Sequence, residues 1–364
     1  MADAVVLKNG DVLMLSNMPS ELTAQVPKGG KLRFMLEETD CEWLVDFNKG
    51  ECDVALEHRK GDDRTTGRAV VEVASHVQTP ARVELACGTP SKRTVRLLVY
   101  TVGEQKSVSP NYPRTPVFNM LMETCRKRGI VLTDWHIHIR GGMTPELAAE
   151  READCGIRST AMENHGREWE IYDNEKLKVF AEKAHTVSVN GHRLPTGIQV
   201  NDRDWFTQID AETRACFDYI LADTMIMGKL PSGRDNRLWL DQTIDDVSAW
   251  MADYTAHTLQ ILGEPISILA NPTYLPKEIV GGYDELWTDE RMKAVIGKAV
   301  EKGIALEIQA GSPFPQPKFL KLAKSMGAKF SFGTNNFDPT PKDLSRWLEA
   351  IEWLDMTADD MWSL

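Results

Sequence analysis

The sequence predicts an α/β protein, a seven-stranded (β/α) barrel preceded by an N-terminal β-sandwich, and three observations lead there. Short strand-like runs punctuated by Gly, Pro, Asn and Asp fill residues 1–102. From about residue 130 strand-like and helix-like runs alternate, and each of the strand-like runs ends in or just before a polar cluster. The first pattern belongs to antiparallel sheets and the second to parallel ones. The third points to a barrel, whose strands all deliver functional residues at their carboxyl ends, whereas a doubly wound sheet concentrates them beside one switch point.

In the N-terminal part, the alternating or apolar runs 31–36, 69–74, 81–86 and 94–100 read as strands of the sandwich domain, 1–102, for which a structural role is expected. Residues 103–116 carry Pro110, Pro113 and Pro116 with little apolar content and read as a linker. The barrel then occupies 117–364, with strands at 131–135, 157–162, 194–200, 217–222, 266–270, 304–308 and 329–332. Thr144-Pro145-Glu146 opens a helix, a second spans 174–185, and later ones begin near Thr288, Pro315 and Pro341. Trp250, Trp347 and Trp353 lie in helical runs and read as core.

The strand-end clusters are Asp134-Trp135-His136-Ile137-His138, Glu163-Asn164-His165, Gln199-Val200-Asn201, Asp223-Thr224, Asn271-Pro272, Glu307-Ile308-Gln309 and Asn335-Asn336. Two histidines one residue apart on a strand point to the same face, so His136 and His138 can grip one divalent ion, Zn, Mn or Mg. The alternative is that the pair only satisfies hydrogen bonds in a polar barrel mouth.

Several segments resemble the polymerase-and-histidinol-phosphatase (PHP) superfamily of metal-dependent phosphoesterases. The run from Asp134 to Ala148 is similar to its D-x-H-x-H strand followed by a T-P-E-E helix start, and Ser159-Thr160-Ala161-Met162-Glu163-Asn164-His165 to its T-D-H strand end. Leu194 to Val200, Phe217 to Met225, Leu269 to Pro272, Ala305 to Gln309 and Ser331 to Phe337 resemble later family segments in the right order. The resemblance covers about 130–340 and implies the seven-stranded barrel and metal-dependent hydrolysis. Yet Asn164, Gln199, Met225, Asn271, Asn335 and Phe337 stand where the family places metal-binding acids and histidines; His136, His138 and His165 keep their expected identity. Neutral amides bind cations through a carbonyl alone, so the trinuclear centre of the family is not expected, and at most one ion is.

The expected reaction is therefore hydrolysis at a mononuclear or metal-poor site, with His165, Asp223 and Glu307 as catalytic groups. Asn164, Gln199, Asn271, Asn335 and Asn336 form an amide-rich wall that suits a polyhydroxylated, sugar-derived small molecule, since amides both donate and accept. Arg140 is a candidate clamp for an anionic group, and Arg203 with Trp205 a candidate stacking wall. The loop from Lys229 to Trp239 is a candidate lid. A sugar lyase or isomerase, or a ligand-binding pseudoenzyme on the same barrel, is the alternative. No nucleophile elbow, P-loop or glycine-rich dinucleotide turn is present.

A formal net charge of -12 with no Lys/Arg stripe disfavours nucleic acid as a partner. The hydrophobic share of 42% and charged share of 26% are those of a soluble globular protein, and no apolar run is long enough for a bilayer. Cys41, Cys52, Cys87, Cys125, Cys155 and Cys216 lack C-x-x-C spacing, and the start carries no basic region followed by an apolar core. Reduced thiols and a cytoplasmic location are expected, and a homo-oligomer is compatible with the sequence.

Overall fold

Six parallel strands stand side by side in chain order: β1 (Ala161–His165), β2 (Thr196–Val200), β3 (Tyr219–Asp223), β4 (Ile268–Ala270), β5 (Ala305–Gln309) and β6 (Phe330–Gly333). In this computed structural model, Tyr112 and residues 114–364 other than Glu170 are described with their side chains, and the nine strands between Val5 and Val102 as backbone. The chain divides into two compact units, Met1–Ser107 with Pro113–Glu123, and Val108–Tyr112 with Thr124–Leu364.

In the first unit the nine strands form a four-stranded and a five-stranded sheet. The four sequence-expected strands are among them, as Lys31–Leu36, Arg68–Ser75, Thr79–Ala86 and Val95–Val102. How these sheets face each other depends on side chains outside the described residues. The expected sandwich packing, most of the proposed linker, and Cys41, Cys52 and Cys87 also lie there.

In the second unit the strands begin within four residues of the expected positions, and the segment expected as the first strand is irregular. It still joins both edges of the sheet. Trp135 N donates to Phe332 O at 2.8 Å and His138 N to Asn336 O at 3.0 Å on the β6 side. Met162 N donates to Ile137 O at 3.0 Å and Ile139 N to Met162 O at 2.9 Å on the β1 side. Because both edges are met by one segment, the parallel sheet closes and leaves no open edge there.

Local chemistry sets the helices between strands. Helix Pro145–Cys155 is capped by Thr144, whose hydroxyl accepts from Leu147 N at 3.2 Å, and ends on Gly156 in the left-handed region. Asp173 caps Asn174–His185, and Thr288 caps Asp289–Lys302. The last two helices, Pro317–Ser325 and Ser345–Trp353, start two and four residues later than the prolines suggest.

The barrel interior is layered. At the amino-terminal end Trp135, Tyr219 and Trp362 pack edge to face, with Trp135 centroids 5.3 and 4.8 Å from the other two. Tyr219 fits because Gly197 faces it: a Cβ there would come within 2.2 Å of the tyrosine ring. Trp347 and Trp353 are buried as expected, whereas Trp250 is only half-buried, and Trp347 Nε1 donates to Ile308 O at 3.1 Å. This aromatic cluster closes the barrel interior below the polar residues of the carboxyl end. Among the described residues no helix is long and apolar enough to cross a membrane, and no disulfide joins the described cysteines Cys125, Cys155 and Cys216.

Candidate active site

A cavity of about 590 Å³ opens at the carboxyl ends of the strands. Its deeper wall carries His138, Asn164, Gln199, Asp223 and Asn335. Its mouth carries Arg140, Glu168, Trp169, Arg237, Trp239 and Phe337. Strand parity explains the inner set: Asn164 pairs in register with Gln199, and Gln199 with Leu221, so alternate residues of β1, β2 and β3 face inward together.

His136 lies beneath this wall. Its Nδ1 meets Glu307 Oε1 at 2.5 Å and its Nε2 meets Gln199 Oε1 at 3.0 Å, with both partners of the ion pair sealed from solvent. Burial alone would pull the imidazole down, but the adjoining Glu307 carboxylate outweighs it and leaves the His136 pKa raised. Glu307 can approach this closely because residue 333 is glycine. A Cβ at Gly333 would stand 2.2 Å from Glu307 Oε1 and 2.6 Å from His136 Cβ.

His138 has a different fate. Asn164 Nδ2 lies 3.3 Å from its Nδ1, and its Nε2 lies 3.0 Å from Asn335 Oδ1, which together select the Nε2–H tautomer. Burial, then the neighbouring His136 and Arg140, hold its pKa well below the usual imidazole value, so this ring stays neutral. Phe337 stacks on it at 4.7 Å.

Asp223 is the carboxylate that both reaches the cavity and is perturbed. It accepts from Met225 N at 2.9 Å, Asn271 Nδ2 at 3.2 Å and Gln199 Nε2 at 3.4 Å. Burial pushes its pKa up to about 6, against the lowering effect of Met225 N, His136 and the Asn271 amide. A carboxyl poised near neutrality beside a cavity is what proton transfer needs.

Other expected site residues are placed differently. Glu307 is walled in by His136 and Asn271, whose backbone N lies 3.4 Å from Glu307 Oε2, so both residues support the wall from behind and do not line the cavity. Asn336 lends its backbone carbonyl to His138 and its amide to Thr340 O at 3.2 Å. His165 follows Asn164 on β1, so the period of two turns it to the outer face, where Tyr172 stacks on it at 5.6 Å. Burial lowers its pKa. Arg203 pairs with Glu264 at 3.2 Å, and Trp205 Nε1 donates to the same carboxylate at 2.7 Å. These two therefore anchor a loop and are absent from the cavity lining.

The aromatic rings at the mouth are instead Trp169, Trp239 and Phe337. Trp239 and Arg237 belong to the expected lid, which forms an antiparallel pairing of Ile226–Lys229 with Asp235–Arg237. Glu168 fastens it: Asp235 N donates to Glu168 Oε1 at 2.8 Å, and Lys229 and Arg237 lie 3.7 and 3.6 Å from its carboxylate. Nothing local distinguishes Glu168 and Trp169 from ordinary loop residues; only the fold brings them to the mouth.

The donor set does not fit a tightly held cation. Both ring nitrogens of His136 and of His138 are engaged by Glu307 or by amides, and their ring centroids sit 5.0 Å apart with planes inclined at 63°. Among the described residues no group of three His, Cys, Asp or Glu side chains converges as metal ligands. No protein family matches the chain, and no curated protein matches it. Among solved structures it is similar to the candidate histidinol phosphatase hisK from Listeria monocytogenes, at 11% identity and a TM-score of 0.43, over 57% of this chain and 96% of that one.

Proposed function

We propose that the second unit is a PHP-type barrel enzyme of the hydrolase class that acts on a polar, sugar-derived small molecule by proton transfer at Asp223. The observation that carries this reading is the position of Asp223, a buried carboxyl facing a cavity of about 590 Å³ with its other oxygen contacts held by amides. The sequence resemblance around His136, His138 and His165 supports the barrel type and the reaction class.

Asp223 serves as general base, taking a proton from water or from a substrate hydroxyl. Asn164, Gln199 and Asn335 present amide groups along the same wall, which can both donate to and accept from hydroxyls. Trp239, exposed at the mouth, offers a ring face to the apolar side of a sugar ring. Neutral His138 adds a polar group without a second charge. No step requires a metal, in keeping with the donor set.

One observation favours a second reading. With Glu307 behind His136 and His165 on the outer face, Asp223 and Glu168 are the carboxyls of the cavity, and Glu168 is bound to the lid. A single base suits a lyase or isomerase, or a binding protein without turnover, as well as a hydrolase. Screening the purified protein against glycosides, sugar acids and p-nitrophenyl phosphate, with Asp223→Asn beside it, tests both. Turnover abolished by Asp223→Asn with binding retained supports the enzyme; binding without turnover supports the binding protein; efficient phosphatase activity overturns the substrate class.

A further inference from the structure

The cavity mouth holds two arginines beside one indole. The Arg140 guanidinium carbon lies 5.9 Å from the Trp169 ring centroid and that of Arg237 lies 4.9 Å from it. Arg140 also lies 4.6 Å from the Phe337 centroid and Arg237 5.8 Å from that of Trp239. The cations and rings thus alternate across the opening, and all five side chains line it.

Stacking engages the faces of a guanidinium, while its N–H donors lie in its plane. Ring contacts and a carboxylate therefore do not compete for the same surface. The rings also restrict the long arginine side chains, which lowers the ordering cost of binding. Arg237 Nε is buried without a hydrogen-bond partner, and Nη2 of the same side chain stands 3.6 Å from Glu168 Oε2, beyond hydrogen-bond reach. A buried, unsatisfied donor of this kind is expected to be met by a ligand or water.

Resting on the reading of this cavity as a sugar-derived substrate site, we infer that Arg140 and Arg237 recognise the carboxylate of a monoanionic sugar acid. The charges of the lining decide against a dianion. Two guanidiniums face the Glu168 and Asp223 carboxylates, so the lining is neutral with Asp223 ionised and carries one positive charge with it protonated. A monoanion leaves at most one uncompensated negative charge in a confined site. A phosphate dianion leaves one more, which is costly to desolvate. The guanidinium fork also matches the two coplanar oxygens of a carboxylate.

Isothermal titration calorimetry on the full chain tests this with matched probes: hexuronates and aldonates, their neutral parent sugars, and the corresponding sugar phosphates. The expected result is a carboxylate bound about ten- to a hundredfold more tightly than its neutral parent, the range of a charged hydrogen-bonded contact. Arg140→Met and Arg237→Met should each remove most of that preference while leaving the weak affinity for the neutral sugar. Arg237→Lys should restore part of it, and it keeps the test informative if the methionine variant folds poorly. Neutral sugars bound as tightly as their acids would overturn the inference and keep the sugar site. Phosphates bound most tightly would overturn the carboxylate assignment. Binding of none of the probes would overturn the underlying sugar reading as well.

Discussion

Glu307 and His136 form a fully enclosed pair, 2.5 Å apart, whose contact exists because Gly333 has no side chain to separate them. The pair stands under Gln199 and so fixes one side of the cavity floor. Its role is positional, and its effect on pH dependence follows from its burial.

Glu307→Gln should destabilise the protein by about 1–3 kcal/mol, because the amide keeps an acceptor for Nδ1 but loses the charge that opposes burial. The His136 pKa is raised in the folded state, so its contribution is present below the unfolded imidazole value and is lost as pH rises through the folded one. In the variant burial is opposed only by the weaker effects of Asp223 and Asp134, so the same group is less readily charged. The stability gap between the two proteins, measured by urea denaturation, should therefore be wider at pH 6 than at pH 9. An equal gap at both values would remove the charged pair from consideration.

Gly333→Ala should cost about 1–3 kcal/mol or more, since the new methyl meets a carboxylate oxygen and the His136 Cβ at distances no repacking absorbs cheaply. Thermal denaturation checks it. A variant with unchanged Tm would mean that β6 can shift away from β5 without loss.

Asp223→Asn should reduce kcat far more than it weakens binding, and wild-type kcat should rise with pH along a limb near 6 as the base ionises. The raised pKa carries a stability consequence of opposite sense. Its favourable contribution is complete below the unfolded carboxyl value and is lost as pH rises through about 6, so Asp223→Asn should gain on wild type in Tm between pH 4 and pH 8. A flat kcat profile across pH 5–7 would exclude Asp223 as the base.

His165→Ala should leave kcat within about threefold of wild type, because the ring faces away from the cavity and its main contact is Tyr172. Arg203→Ala should lower Tm, not affinity, since it strands Glu264. A loss of kcat in His165→Ala comparable to that of Asp223→Asn would return this histidine to the catalytic group.

Dialysis against EDTA should leave both ligand affinity and Tm unchanged, and elemental analysis should return well below one divalent ion per chain. The basis is that every ring nitrogen of His136 and His138 is engaged in a hydrogen bond, with Glu307, Gln199, Asn164 or Asn335. A stoichiometric ion lost in His136→Ala would restore the metal site.

Most of the barrel is legible in the sequence because its signals are local. The cap at Thr144, the helix over Asn174–His185 and the strand at Ala305–Gln309 follow from periods and capping chemistry that act over a few residues. The polar clusters also locate the mouth, and His138, Asn164, Gln199, Asp223 and Asn335 from those clusters line the cavity. The first strand is less legible, because paired bridges on both sides and not its own pattern hold it in place.

What the sequence determined by itself was which segments form strands and which polar residues lie near their ends. Tertiary structure decided which of those residues face inward. Asn164 and His165 are chain neighbours of similar polarity, and their separation into cavity and outer face depends on the register of β1 against β2, where a shift of one residue would exchange them. The arginines follow the same logic at longer range. Arg203 is drawn from the site by Glu264, 61 residues away, whereas Arg237 and Trp239 enter it on a hairpin fastened by Glu168, 67 residues before Asp235. Such partners are chosen by proximity in space, which depends on every closure of the barrel at once and so has no signature in any single stretch of chain.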